Sequence, residues 1–278
     1  MLADYHVHTG FSDDCREDME NVVRQAIAAG IGELCFTDHV DYGIKYDLPE
    51  YQNMSPAEKQ KVGTNLNVDY PAYFNKIAEV RAKYKQRITI RQGLEFGIQT
   101  HTVSRYEKLF AAYPLDFVIL SCHQVGDREF WNGEFQEGMT MSECNDRYYR
   151  EIYSCMQMYK NYSILGHLDV IQRYNENVYP FEASEAIITD ILKLAIQDGK
   201  GIEVNTSSFR YGLKDLTPGV QILKLYHELG GRILTIGSDC HKAADVGDHI
   251  LHVREELKKI GFTQFSTFAE MVPVFHPL

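Results

Sequence analysis

No stretch of the 278 residues is apolar for long enough to cross a bilayer, and the N-terminus has neither the basic nor the apolar segment of a secretory signal. A helical membrane protein is excluded on this ground, and the cytoplasm is the expected location. Cysteine is scarce: the six, at positions 15, 35, 122, 144, 155 and 240, form no CxxC pair. That speaks against a disulfide framework. Cys35, Cys122 and Cys240 lie in or just after apolar runs, where cysteine acts as a small buried hydrophobe, so reduced structural thiols are expected. Positive charge is in short supply too. Lys and Arg number 28 against 39 Asp and Glu, a net charge of −11. Nucleic acid and anionic membranes are therefore poor partners. A small anionic substrate remains compatible, because bound divalent cations would make a pocket locally positive. The GxSxG elbow, the P-loop and GxGxxG are all missing. So are internal repeats, low-complexity tracts and Pro-, Gly- or Ser-rich linkers, which makes a single domain over residues 1–278 the expected organisation.

What is present is a regular alternation. Short apolar runs at Leu2–Val7, Glu33–Thr37, Ile88–Glu95, Asp116–Ser121, Ser163–Gly166, Gly201–Asn205 and Arg232–Ser238 are separated by helical stripes. Tyr73, Ile77, Val80 and Tyr84 form one stripe, introduced by Asp69 and Pro71. Tyr148, Ile152, Cys155 and Tyr159 form a second. A third starts near Ser184, carries Ile187, Ile191 and Leu194, and stops at Gly199, expected as a left-handed cap. A fourth enters through Thr217-Pro218, uses Val220, Leu223 and His227, and ends at Gly230-Gly231; a fifth carries Val253, Leu257 and Ile260. Seven strands alternating with helices predict an α/β fold with a parallel sheet, closed into a seven-stranded barrel; an open doubly wound sheet is the alternative. Residues 40–70 and 124–141 are long connections with little periodicity and many aromatics, expected as lids or specificity loops.

The chemistry sits at the ends of the apolar runs. His6 and His8, one pleat apart on a strand, point the same way and can share one metal ion. Later runs end in Thr37-Asp38-His39, Gly93-Leu94-Glu95, Ser121-Cys122-His123, Leu165-Gly166-His167 and Ser238-Asp239-Cys240-His241. With Asp14 the candidate ligands are His6, His8, Asp14, His39, Glu95, His123, His167, Asp239 and His241. A catalytic ion usually takes about three or four protein ligands, so this set calls for two or three ions, with Glu95 able to bridge. The remaining histidines, 101, 227, 249, 252 and 276, lie in helical or terminal segments and read as solvated or structural.

These motifs together resemble the PHP (polymerase and histidinol phosphatase) superfamily over nearly the whole chain. Gly166-His167-Leu168-Asp169-Val170-Ile171-Gln172-Arg173-Tyr174 and Glu203-Val204-Asn205-Thr206-Ser207-Ser208-Phe209-Arg210 are most similar to its monofunctional histidinol-phosphate phosphatases. The resemblance implies a distorted seven-stranded, TIM-like barrel with a trinuclear site. His6, His8, Glu95 and Asp239 would hold one ion, Glu95, His123 and His167 a second, and Asp14, His39 and His241 a third. Many members carry His where Asp14 stands, and Asp13 is adjacent. The ions would be zinc, with iron or manganese as alternatives.

Hydrolysis of a phosphomonoester needs a nucleophile and neutralisation of phosphoryl charge. A bridging hydroxide, formed because divalent ions lower the pKa of bound water from about 16 to roughly 7, is the expected nucleophile. Arg173 and Arg210, after the fifth and sixth strands, are the expected phosphate contacts, since a guanidinium fork matches phosphate oxygens. Asn205 and Ser207 either contact substrate or cap a turn. Asp38 either orients a ligand imidazole or faces the helical layer. Cys122 and Cys240 alternate away from their histidine neighbours. Asp41, Asp47 or Glu50 would meet a substrate ammonium. The substrate implied by the resemblance is L-histidinol phosphate, in histidine biosynthesis; the alternatives are another PHP phosphoesterase, acting on phosphotyrosine or nucleotides, and a non-catalytic metal-stabilised barrel. Oligomeric state is left open.

Overall fold

Each apolar run becomes a strand: β1 (Ala3–Val7), β2 (Glu33–Phe36), β3 (Thr89–Gly97), β4 (Phe117–Ser121), β5 (Ile164–Leu165), β6 (Gly201–Asn205) and β7 (Leu234–Gly237). The computed structural model describes residues 1–175 and 177–278. Strands buried on both faces can be apolar throughout, which is why these runs show little alternation. Neighbours pair in parallel in the order β1 to β7. β7 then returns to β1: the Asp239 N–H donates to the His6 carbonyl at 2.7 Å and the His8 N–H to the Cys240 carbonyl at 3.1 Å. The sheet is therefore a nearly closed barrel, as expected, and the open doubly wound alternative falls.

The longer helices among the described residues alternate with the strands: α1 (Met19–Ala28), α2 (Tyr70–Tyr84), α3 (Val103–Ala112), α4 (Met141–Met158), α5 (Phe181–Gln197), α6 (Val220–Glu228) and α7 (Ile250–Ile260). α2 is capped by Asp69, whose carboxylate accepts the Ala72 N–H, and it buries Tyr73, Ile77, Val80 and Tyr84. Gly199, with φ +66°, follows α5 as the expected left-handed residue. α5 starts at Phe181 rather than near Ser184, and its buried face is Ser184, Ile188, Ile191, Leu192 and Ala195. Ile187 and Leu194 pack only at the margin, because the stripe is wide enough to face inward at two adjacent angles. Likewise α6 buries Ile222, Leu223 and Tyr226, while His227 lies exposed against Phe262. α1 and α3 were not expected from the periodicity, nor were short helices at Leu48–Gln52 and Pro56–Val62 within residues 40–70.

A C-terminal hairpin, β8 (Gln264–Ala269) with β9 (Val272–Pro277), is also new relative to the sequence reading. It plugs the end of the barrel where the strands begin. Phe265 and Phe268 close on Tyr5, Cys35, Phe117, Ile119 and Ile164 inside the barrel. The opposite mouth, at the strand C-termini, carries the candidate ligands.

Candidate metal centre

β1 serves both ends of the barrel through an irregularity. Its register with β2 slips by one residue between Asp4 and Val7, so adjacent residues Tyr5 and His6 both face inward. The Tyr5 ring meets Phe117 at 5.0 Å. The His6 ring meets Glu95 and Glu203. His8 follows one pleat on, at the mouth. A two-residue strand, His39–Val40, pairs with β3 so that His39 stands beside Glu95 in register. His123 and His167 follow the ends of β4 and β5, and Asp239 and His241 the end of β7. Gly237 lets β7 come close enough: a Cβ there would collide with the His6 Cβ and the Glu203 carboxylate.

All nine expected ligands meet in one place. Glu95, fully buried, is the centre. Its Oε1 lies 3.1 Å from His123 Nε2 and 2.9 Å from His167 Nε2. Its Oε2 lies 3.1 Å from His6 Nε2, 3.5 Å from His8 Nε2 and 3.0 Å from His39 Nδ1. Asp239 Oδ1 is 3.5 Å from His8 Nε2 and 3.7 Å from His6 Nε2. Asp14 Oδ2 is 3.1 Å from His241 Nε2 and 3.6 Å from His39 Nε2. Asp13 instead pairs with Lys45 at 2.8 Å, so of the two adjacent carboxylates it is Asp14 that joins the cluster.

The donor set fits divalent cations. Four sets of side chains each bring three ligand atoms close together: His6 with His8 and Asp239, His6 with Glu95 and His167, His39 with Glu95 and His123, and His8 with His39 and His241. His6 Nε2, His8 Nε2, His39 Nδ1 and Glu95 Oε2 are buried without a hydrogen-bond partner among the described residues. Such atoms are costly unless a ligand meets them. Burial works against the charge of Glu95, but the imidazoles of His6, His123 and His39 outweigh it and hold the carboxyl well below its ordinary range. Burial, with His241 and His39 facing it, holds His8 well below its ordinary value; a neutral imidazole offers its lone pair.

Around this set lie residues that aim it. Glu203 holds His6 Nδ1 at 2.7 Å, and Asp41 holds His123 Nδ1 at 2.8 Å. Each contact keeps the ring proton on Nδ1 and turns Nε2 inward. Asp38 touches no imidazole. It accepts the Ser12 N–H and hydroxyl, and Ser12 Oγ in turn sits 3.2 Å from His8 Nδ1, so Asp38 acts through Ser12. Asp41 is not available for a substrate ammonium: besides His123 it pairs with Lys45 at 2.8 Å. Asp47 and Glu50 are committed to Arg105. Glu203 and Lys45 were missed from sequence. The clue for Glu203 was an acid two residues before Asn205 in an otherwise apolar run, hence on the inward face.

Arg173 donates to Ser207 Oγ at 2.8 Å and lies 3.8 Å above the Tyr211 ring. Arg210 donates to the carbonyls of Ser238 and Asp239. Each keeps one buried nitrogen, Arg173 Nε and Arg210 Nη1, without a partner among the described residues. Asn205 donates to Glu203 and Asp239 and accepts from Ser207, so both polar residues brace Asp239 from below. The six cysteines are buried and unpaired with one another, and burial pushes the Cys122 and Cys240 thiols well up, away from nucleophilic use.

A parallel barrel that gathers buried imidazoles around a shared carboxylate at its C-terminal mouth has the architecture of a metal-dependent hydrolase. The family model described as PHP domain matches residues 4–207. A histidinol-phosphatase of Lactococcus lactis subsp. lactis is 31% identical over 272 residues, 96% of this chain and 94% of the relative. A histidinol-phosphatase of Bacillus subtilis is 25% identical over 268 residues, 88% and 95% of the two chains. The crystal structure of histidinol phosphate phosphatase from L. lactis, complexed with zinc, L-histidinol and phosphate, superposes with a TM-score of 0.85, at 31% identity and 98% coverage of both chains. The chain belongs to the PHP family.

Proposed function

We propose that this chain is a metal-dependent phosphomonoesterase that hydrolyses L-histidinol phosphate to L-histidinol and phosphate, the phosphatase step of histidine biosynthesis. The observation that carries the reading is the convergence of His6, His8, His39, His123, His167 and His241 on Glu95 and Asp239. The likeness to a phosphatase solved with zinc, histidinol and phosphate supplies the substrate. Two or three divalent ions, zinc foremost, would be held by these side chains and would supply an acidified water and neutralise phosphoryl charge. His6, His8, Glu95 and Asp239 form one ligand set, Glu95, His123 and His167 a second, and Asp14, His39 and His241 a third.

The protein's own groups do the positioning. Glu95 offers one oxygen to His123 and His167 and the other to His6, His8 and His39, the geometry of a bridging carboxylate. Glu203 and Asp41 fix the imidazole tautomers. Ser207 and Tyr211 hold Arg173 in place, and its free Nε, with Arg210 Nη1, can donate to phosphate oxygens. The test is metal analysis coupled to kcat/KM for L-histidinol phosphate, p-nitrophenyl phosphate, phosphotyrosine and nucleoside monophosphates. The expected result is more than one ion per chain and a clear preference for histidinol phosphate. A preference for any other member of the panel would overturn the substrate assignment, and metal-loaded protein inert to all of them would overturn the enzyme.

A further inference from the structure

A cavity of about 460 Å³ lies among the helices, between α5, the start of α6 and residues 213–217. No imidazole or carboxylate of the metal centre lines it. Tyr149, Phe181, Ile188, Leu216 and Ile222 give it apolar walls. Most of its polar side chains are already engaged. The Gln172 amide exchanges hydrogen bonds with the backbone of Tyr179. The Asp215 carboxylate accepts the N–H groups of Leu216 and Val220, and Glu182 accepts from Gln221.

Asp169 is different. Its Oδ2 accepts the Gly219 N–H at 2.8 Å, but Oδ1 is buried and has no partner among the described residues. The residue is only 8% exposed and lines the cavity. An acceptor buried in this way without a donor is destabilising unless something donates to it. Among the described residues of the wall, the carboxylates of Asp169, Asp215 and Glu182 outnumber the one cation, Lys214. Charge and shape thus ask for the same visitor, a positive head on an apolar body.

We propose that this cavity is a second small-molecule site, which takes an organic amine with an aromatic or branched aliphatic body and receives its N–H at Asp169 Oδ1. The site adjoins the catalytic mouth through two short connections. Gln172, in the wall, precedes Arg173, which donates to Ser207. Thr217, also in the wall, accepts the Asn205 N–H at 2.7 Å. A ligand here would lie against the segments that carry Arg173 and Asn205, from outside the barrel. Nothing in this assignment depends on which phosphomonoester the enzyme hydrolyses.

The test is calorimetric titration of the zinc-loaded full chain with 2-phenylethylamine, inorganic phosphate being present to occupy the mouth. One probe should bind per chain, with the neutral 2-phenylethanol weaker by at least about tenfold. Asp169→Asn should weaken the amine by a similar factor. Ile188→Phe and, separately, Ser184→Leu should abolish its binding by filling the cavity, with kcat/KM for p-nitrophenyl phosphate in the folded variant kept within about twofold. Absence of saturable binding to the parent protein, equal affinity for the alcohol, or unchanged binding in either filled and folded variant would each overturn the proposal.

Discussion

The two ends of the barrel treat buried charge in opposite ways. At the plugged end, Glu33 accepts from the Tyr5 hydroxyl and from Arg91 Nε, and Asp116 accepts from Arg81 and from the N–H groups of Gln92 and Glu270. Every one of these carboxylates finds its donors within the chain. At the open mouth, Glu95 and the imidazoles around it leave Nε2 of His6 and His8, Nδ1 of His39 and one Glu95 oxygen unmet. Glu33 and Asp116 keep a little exposure where Glu95, His6 and His8 have none, yet it is the deeper set that the chain leaves unmet. What separates a polar group that stabilises from one that works is whether the protein itself completes its hydrogen bonding.

The sharpest way to break this comparison is to exchange carboxylate for amide at each end. Glu95→Gln should lower kcat/KM by at least about a thousandfold, since a neutral amide cannot bridge cations. Metal should raise the melting temperature of the parent far more than that of the variant, because the carboxylate that the imidazoles share is gone. An equal rise in both would mean that Glu95 takes no part in holding the ions. Next in size is Lys45→Met, which strips Asp41 of its counter-charge and loosens its hold on His123 Nδ1. Metal affinity, read by competition with a chelator, should fall about 10–100-fold, the usual cost of losing a group that orients a ligand. Unaltered affinity would show that Asp41 needs no help from Lys45. Glu33→Gln, the counterpart at the plugged end, should cost about 1–3 kcal/mol in denaturant unfolding and leave kcat/KM within about twofold.

The smallest effect concerns pH. In the metal-free protein burial disfavours a charged His123, but Glu95 and Asp41 prevail and raise its pKa from 6.5 to about 9. A group with a raised folded value stabilises fully below its unfolded pKa and loses that contribution as pH climbs through the folded one. The stability of the metal-free chain should therefore decline between about pH 6.5 and pH 9, and His123→Asn should flatten that decline. Metal affinity should run the other way and strengthen with pH, because a ligand imidazole must be neutral. Parallel slopes for the two quantities would refute the assignment of His123 to the cation cluster.

Much of the mouth was readable in the chain because each ligand ends an apolar run, and strand ends in a parallel barrel meet on one ring. The braces were harder to read. Glu203 and Asp41 take their roles from partners far along the chain, His6 and His123, and only barrel closure brings them together. Asp41 looked like an acid of a solvent-facing loop; a neighbouring Lys45 and an imbedded Asn67 side chain turn it inward. The plug was hidden for a different reason. Pro273 and Pro277 interrupt β9, and proline within a run argues against a strand unless it lies on an edge, as this one does. The inward face of α5 was ambiguous because Ile187, Ile188, Ile191, Leu192 and Leu194 crowd one half of the helix.

The slip in β1 has a consequence for how such an enzyme can change. In a strictly alternating strand Tyr5 and His6 would face opposite sides of the sheet, one into the barrel and one toward the helices. Here the extra residue sends both inward, Tyr5 into the plugged half and His6 into the mouth. Deleting one residue of this stretch should restore strict alternation and cost the barrel either an apolar contact of the plug or an imidazole of the mouth.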